Sequence, residues 1–145
     1  MHSNKICAFL LFIISHIVLA DNLYHIIDKD DWNQTSSKQE YKPNSLSKDG
    51  FIHLSSKEQV AETADIFFKG KHNLLLLEFA IPSNDQKLKW ESAAGGINSR
   101  KQLFPHYYAP LPLSYVTQVY IFEPNNEGHF SFPTKTLKNK FNIGH

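Results

Sequence analysis

Residues 74–81, Leu74-Leu75-Leu76-Leu77-Glu78-Phe79-Ala80-Ile81, form an apolar run broken by a single carboxylate. The run has strand length rather than helix length. A strand without alternation between its faces must be covered on both, so it belongs in the middle of a sheet. The rest of the chain has to supply neighbours and cover. Leu23-Tyr24-His25-Ile26-Ile27 reads as the first strand. Phe51-Ile52-His53-Leu54-Ser55-Ser56 alternates, which puts Phe51, His53 and Ser55 on one face. Leu88-Lys89-Trp90-Glu91 is a short extended piece, Thr117 to Phe122 alternates as the last full strand, and Phe130 with Phe132 suggests an edge strand.

The helical signals are fewer. Asp28 caps a short helix through Trp32, with Asp30 and Asp31 in its first turn, where negative charge is favoured. Ser55 and Glu58 have the spacing of a capping box ahead of a helix over 57–69, in which Val60, Ala61, Ala64, Phe67 and Phe68 recur at helical spacing and Gly70 supplies the stop. Turns are expected at 34–38, 47–50 and 125–128, and one helical turn at 113–116. The stretch 92–102, with Gly95-Gly96, reads as a loop. The stretch 103–112 holds too many prolines for a helix interior and reads as an irregular, rigid segment. Strands outnumber helices without strict alternation, so the fold class is α+β, a single domain with mostly antiparallel sheets. Its core comes from 74–81 and 57–69, and the end from Thr134 is expected to fray.

The N-terminus stands apart from this pattern. Lys5 precedes an apolar stretch over 6–19, and Val18-Leu19-Ala20 offers small residues where a signal peptidase cleaves. Residues 1–20 therefore read as a secretory signal, too short for a comfortable membrane span. The division that follows is signal 1–20, domain 21–133 and C-terminal tail 134–145. Cys7 is the only cysteine and lies in the signal, so the mature chain has no disulfide, no thiol nucleophile and no thiolate metal site. Removing Lys5 balances the mature chain's formal charge, and no basic stripe marks a nucleic-acid partner. The expected destination is export, to the periplasm or the medium, with no membrane association after cleavage.

No phosphate loop, His-Glu-x-x-His or Gly-x-Ser-x-Gly is present. The polar residues that could do chemistry are scattered. His25 lies between apolar neighbours and is as well explained by a satisfied core imidazole as by a ligand. His53 and Ser55 end a strand beside a helix start, where free N–H groups can hold a polar or negative group. Glu91 ends an extended piece before the glycine loop, and Glu78 lies at the end of the central run. His106, Tyr107 and Tyr108 follow Pro105 in the rigid segment. No histidine pair has i, i+4 spacing, so a metal site is disfavoured and none is expected.

These residues occur in a familiar order. Tyr24-His25-Ile26, Phe51-Ile52-His53-Leu54-Ser55, Phe67-Phe68-Lys69-Gly70, Leu76-Leu77-Glu78, Lys89-Trp90-Glu91 and the run from Leu103 to Leu113 resemble the bacterial family called domain of unknown function 952. The resemblance runs from about Leu23 to Pro133. It departs from the family in carrying a signal, and in Ala109, where a glycine is usual. It implies a fold similar to the ADP-ribosyltransferases, two mostly antiparallel sheets around a nicotinamide dinucleotide cleft. On that likeness His25 would hold a ribose, Ser55 and the helix start after it an amide or phosphate, and Tyr108 would stack on nicotinamide, with His53 a further cofactor-binding candidate. Glu91 and His106 are then the candidate catalytic residues, and NAD the candidate cofactor. Arg100, the only arginine, lies in the glycine loop, which argues against the transferase branch that uses a first-strand arginine and against the RNA phosphate-transfer relatives that use several. Two functions stay open: an exported enzyme that transfers ADP-ribose or hydrolyses the dinucleotide, with an unidentified protein target, or a non-catalytic exported module that binds a small molecule in the same cleft.

Mass spectrometry of secreted protein should find a chain that starts at Asp21. Full-length chain retained in the cytoplasm would refute the signal.

Overall fold

The computed structural model describes residues 20–93 and 102–137. All of the expected signal except Ala20, nearly all of the glycine loop and the end of the tail lie outside them. Among the described residues, eight strands and three helices follow in the order β1 (Ala20–Asp28), α1 (Lys29–Thr35), β2 (Glu40–Tyr41), α2 (Asn44–Lys48), β3 (Ile52–His53), α3 (Val60–Phe67), β4 (Leu74–Pro82), β5 (Leu88–Ser92), β6 (Leu103–Tyr107), β7 (Leu111–Pro112) and β8 (Val116–Phe122), with a 3-10 turn at Leu113–Tyr115. All the ladders are antiparallel. They make a three-stranded sheet β1-β4-β8, a second three-stranded sheet β3-β6-β5 and a small pair β2-β7.

The apolar run is the middle strand of the first sheet. Leu75, Leu77, Phe79 and Ile81 project into one core with Trp32, Ile52 and Tyr107. Leu74 and Leu76 project into a second core with Val60, Ala64, Phe122 and Phe130. This is why the run has no polar alternation: helix α3 and the C-terminal segment cover one face, and the β3-β6-β5 sheet helps to cover the other. Asp28 caps α1, its carboxylate accepting the Asp30 N–H at 3.0 Å.

Several sequence expectations are corrected. The capping box at Ser55 and Glu58 does not form. Helix α3 starts only at Val60, and Glu58 instead accepts a bond from the Ser56 hydroxyl at 2.9 Å, while Gln59 accepts the Ser56 N–H at 3.0 Å. The supposed turn at 47–50 contains the end of helix α2. The stretch 103–112 is not irregular, because it contains β6 and β7. Pro105 is tolerated in a middle strand because it sits where two-residue β3 is leaving: its carbonyl accepts Leu54 N–H at 2.9 Å, and the missing donor faces the departing chain. Phe130 and Phe132 form no strand, but Phe130 is buried and Phe132 packs edge-on against Tyr24. The segment past Thr134 is tied down as far as Leu137, whose N–H donates to Val119, while Ile121 N–H donates to Lys135.

Phe67 is the other correction. The helical period aims Val60 and Ala64 at the core, whereas Phe67 is 59 % exposed. Leu76→Ala should therefore cost about 2–5 kcal/mol, and Phe67→Ala less than about 0.5 kcal/mol. Urea unfolding of the two variants checks the difference, and equal losses would mean that α3 turns another face inward.

Candidate functional site

The site begins with cross-strand parity. His53 on β3 stands directly opposite His106 on β6, so both imidazoles leave the same face, their centroids 5.6 Å apart and nearly perpendicular. On the other side of β6, Lys89 opposes His106 and Glu91 opposes Phe104. Glu91 is thus the diagonal neighbour of His106, within reach of its ring. The bond forms: His106 Nδ1 lies 3.0 Å from Glu91 Oε2, and the same oxygen accepts the Tyr108 hydroxyl at 2.6 Å. Phe51, one turn residue before β3, stacks on the His106 ring at 4.1 Å and also touches His53 and Tyr108.

A carboxylate at Nδ1 makes that nitrogen the donor, so the neutral ring offers Nε2 as an acceptor. Burial pushes the His106 pKa down, and Glu91 opposes the push, while His53 adds to it. The Tyr108 hydroxyl, and then His106, hold Glu91 below the usual carboxylate range. The group at this edge is therefore a neutral imidazole backed by an ionised carboxylate near neutral pH. His53 Nε2 lies 3.1 Å from Asp49 Oδ2, a partner brought round by the turn after α2.

His25 has a different part. Its Nδ1 lies 2.8 Å from the His53 carbonyl, which can only accept, so Nδ1 donates. Its Nε2, 2.8 Å from Tyr41 Oη, then accepts the Tyr41 hydroxyl. Both ring nitrogens are used within the protein, and the ring clamps β1 to β3 and β2. The clamp lies next to the only backbone bridge between the two larger sheets among the described residues, in which Tyr24 and Ser55 exchange two bonds of 2.9 Å.

Beyond the bridge the strands diverge, and the gap is a cavity of about 420 Å³. His25, His53, Ser55 and His106 all line it, together with the apolar side chains of Ile26, Leu54 and Phe104 and of Ile66, Phe67 and Phe68 from α3. Tyr108 and Glu91 are not on its wall; they back His106 from behind. The Ser55 hydroxyl is buried and its bond to Thr63 is long, 3.5 Å. Among the described residues no group of three metal-ligating side chains gathers anywhere. Glu78 lies on the same face of β4 as Leu74 and Leu76 but is not on the cavity wall, and it accepts the Tyr120 hydroxyl at 2.6 Å. Sequence reasoning missed Ser45, Thr63 and Phe104 on the wall, and Asp49 and Tyr41 behind it. Phe51 was legible, since its parity matched that of His53.

The model of a family described as "Protein of unknown function" matches residues 26–119. The chain belongs to that family, DUF952. The DUF952 match takes in His53, Glu91, His106 and Tyr108, and begins one residue after His25. Two solved structures of protein CC0527 from Caulobacter crescentus are similar over about three quarters of this chain. Its crystal structure gives a TM-score of 0.65 at 33% identity, covering 76% of this chain and 93% of that one. Its solution NMR structure gives 0.64 at 34% identity, covering 74% and 90%. No curated protein matches the chain.

The clamp sets a pH dependence. Burial lowers the His25 pKa from 6.5 to about 4, against the pull of the His53 carbonyl. The unfolded chain thus takes up a proton near pH 6.5 that the folded chain refuses until about pH 4. The neutral ring's contribution is complete above pH 6.5 and is lost as pH falls through that window. Unfolding free energy should drop by roughly 1–3 kcal/mol between pH 7 and 4.5, and His25→Gln should flatten that part of the curve. Parallel curves for the two proteins would show that His25 does not titrate as described.

Proposed function

We propose that this protein binds a small molecule with a flat ring in the gap between β1, β3 and α3, and that nicotinamide-bearing compounds are the ligands to try first. The observation that carries the reading is the convergence of His53 and His106 on one mostly apolar cavity, with His106 Nε2 left as an acceptor. Apolar walls with a few placed polar groups are the usual make-up of a small-molecule site. A volume near 420 Å³ suits a ring with its sugar rather than a whole dinucleotide. Among the described residues no Lys or Arg lines the cavity, so the phosphates of a dinucleotide would lie outside its mouth. An ADP-ribosyltransferase-like fold belongs to this proposal, as does export of the chain by its expected signal.

Cleavage is the second reading. Water would give a proton to His106 Nε2 as its oxygen bonds to the sugar's anomeric carbon, and the C–N bond electrons would leave with nicotinamide. Glu91, bonded to Nδ1, would steady the imidazolium. Binding alone is favoured by one observation: no carboxylate is on the cavity wall among the described residues, so none faces the positive charge that would develop on the sugar.

The test is calorimetry with nicotinamide, its riboside and NAD, together with chromatography for released nicotinamide. His106→Asn places an amide near the old Nδ1 and removes Nε2. Wild type should bind at least one compound, and His106→Asn should lose about tenfold or more in affinity while melting within a few degrees of wild type. Binding without release makes the protein a binding module, and release that His106→Asn abolishes makes it a hydrolase. If wild type binds none of the compounds, the nicotinamide reading is wrong.

A further inference from the structure

Helix α3 carries two apolar stripes, and the core uses one of them. Val60 and Ala64 go into the second core, and Phe68 packs beside them. Thr63, Ile66 and Phe67 recur at the i, i+3, i+4 spacing on the neighbouring face, and that face is cavity wall. Among the described residues the exposed large apolar side chains are Ile66, Phe67, Trp90, Leu103, Tyr108 and Ile121. Of these only Ile66 and Phe67 also line the cavity. Phe67 is the more open of the pair, 59 % exposed against 43 %. The other wall phenylalanines differ. Phe104 is buried, and Phe68 packs against the second core. Packing accounts for those two rings and not for Phe67. Apolar area left in water is a source of binding free energy, recovered when a ligand covers it. The open stripe is narrow. Glu62, bonded to Gln102, and Asp65, bonded to His129 and to the Phe130 N–H, stand beside it on α3. A protein docked here would have to cover those carboxylates, whereas a single flat ring needs only the stripe.

We propose that Phe67 is a specificity-determining residue of the cleft, its ring covering the flat ring of the bound molecule while that molecule's polar substituents reach the imidazoles of β3 and β6. This rests on the ligand-binding reading above and deepens it, because it names the kind of ring that the cleft takes. Among the described residues the wall holds no Asp, Glu, Lys or Arg. A positive or electron-poor ring therefore meets no ionised side chain there, and aromatic faces are what can steady it. A phenyl face attracts such a ring through dispersion and through its own negative π charge. The ligand class that follows is a planar, electron-poor aromatic ring, a pyridinium above all. A reduced ring of the same size has neither the charge nor the aromatic face, and the cleft takes it less well.

Calorimetry with nicotinamide riboside and with its reduced dihydro form tests the role. Wild type should bind the oxidised riboside about fivefold or more tighter than the reduced one. Phe67→Ala should weaken the oxidised compound by about tenfold and bring the two affinities together, while melting within about two degrees of wild type. Phe67→Trp should restore the affinity, and the ligand should quench the added indole fluorescence. Ile121→Ala trims an exposed apolar side chain away from the cavity and, as the control, should leave affinity unchanged. Unaltered affinity in Phe67→Ala overturns the inference while the ligand reading stands, and so does a wild type that takes the reduced riboside as well as the oxidised one. Phe67→Trp binding no better than Phe67→Ala shows that an aromatic face is not what the cleft uses, which also overturns it. A melting temperature several degrees lower in Phe67→Ala assigns the ring to the fold instead. Failure of the wild type to bind any nicotinamide compound removes the ligand reading, and this inference falls with it.

Discussion

Two hydrogen bonds between Tyr24 and Ser55 join sheets that would otherwise have separate lives. One sheet is built on β4, the other on β6, and each has a free edge facing the other. The bridge closes those edges at one point only. His25, the next residue along, fastens the joint with a bond to the His53 carbonyl and another to Tyr41. The position of every cavity residue depends on this joint, because α3 hangs from one side of it and β6 from the other. A full ladder between β1 and β3 would have left no gap. A looser contact would have left no defined one.

The joint also changes the meaning of the histidines. Three imidazoles face one space, yet they are not equivalent. His25 has its tautomer fixed by a carbonyl and spends both nitrogens on the protein. His106 has its tautomer fixed by a carboxylate and keeps Nε2 in hand. His53 is held by Asp49 at the more exposed end. The likeness that would give His25 a ligand's ribose meets a ring with no nitrogen to offer, so any contact it makes with a bound molecule is through its face.

Much of this was legible in the residues. The unalternating run at 74–81 gave away a strand buried on both sides, Asp28 gave away its cap, and the parity of Phe51 and His53 gave away a shared face. What was not legible depended on partners distant in sequence. Ser55 has the local pattern of a helix cap, but its backbone was claimed by Tyr24, so the helix starts later. Phe67 fits the helical period, but the period fixes only spacing, and the cavity rather than the core lies beneath that part of α3. Pro105 looks like a strand breaker until β3 is seen to end beside it.

The pairing scheme has a consequence in time. Ala20 finds Pro82, Leu74 finds Phe122, Glu40 finds Pro112 and Ile52 finds Tyr107. Each ladder except β5-β6 waits for residues from the opposite half of the domain, and β4 cannot be flanked until β8 has emerged. Chains whose contacts are mostly distant in sequence fold slowly, because the closure entropy is lost before the contacts return it. The emerging polypeptide can close β1-β4 once Pro82 has been made, and every other ladder waits for residues between 103 and 122.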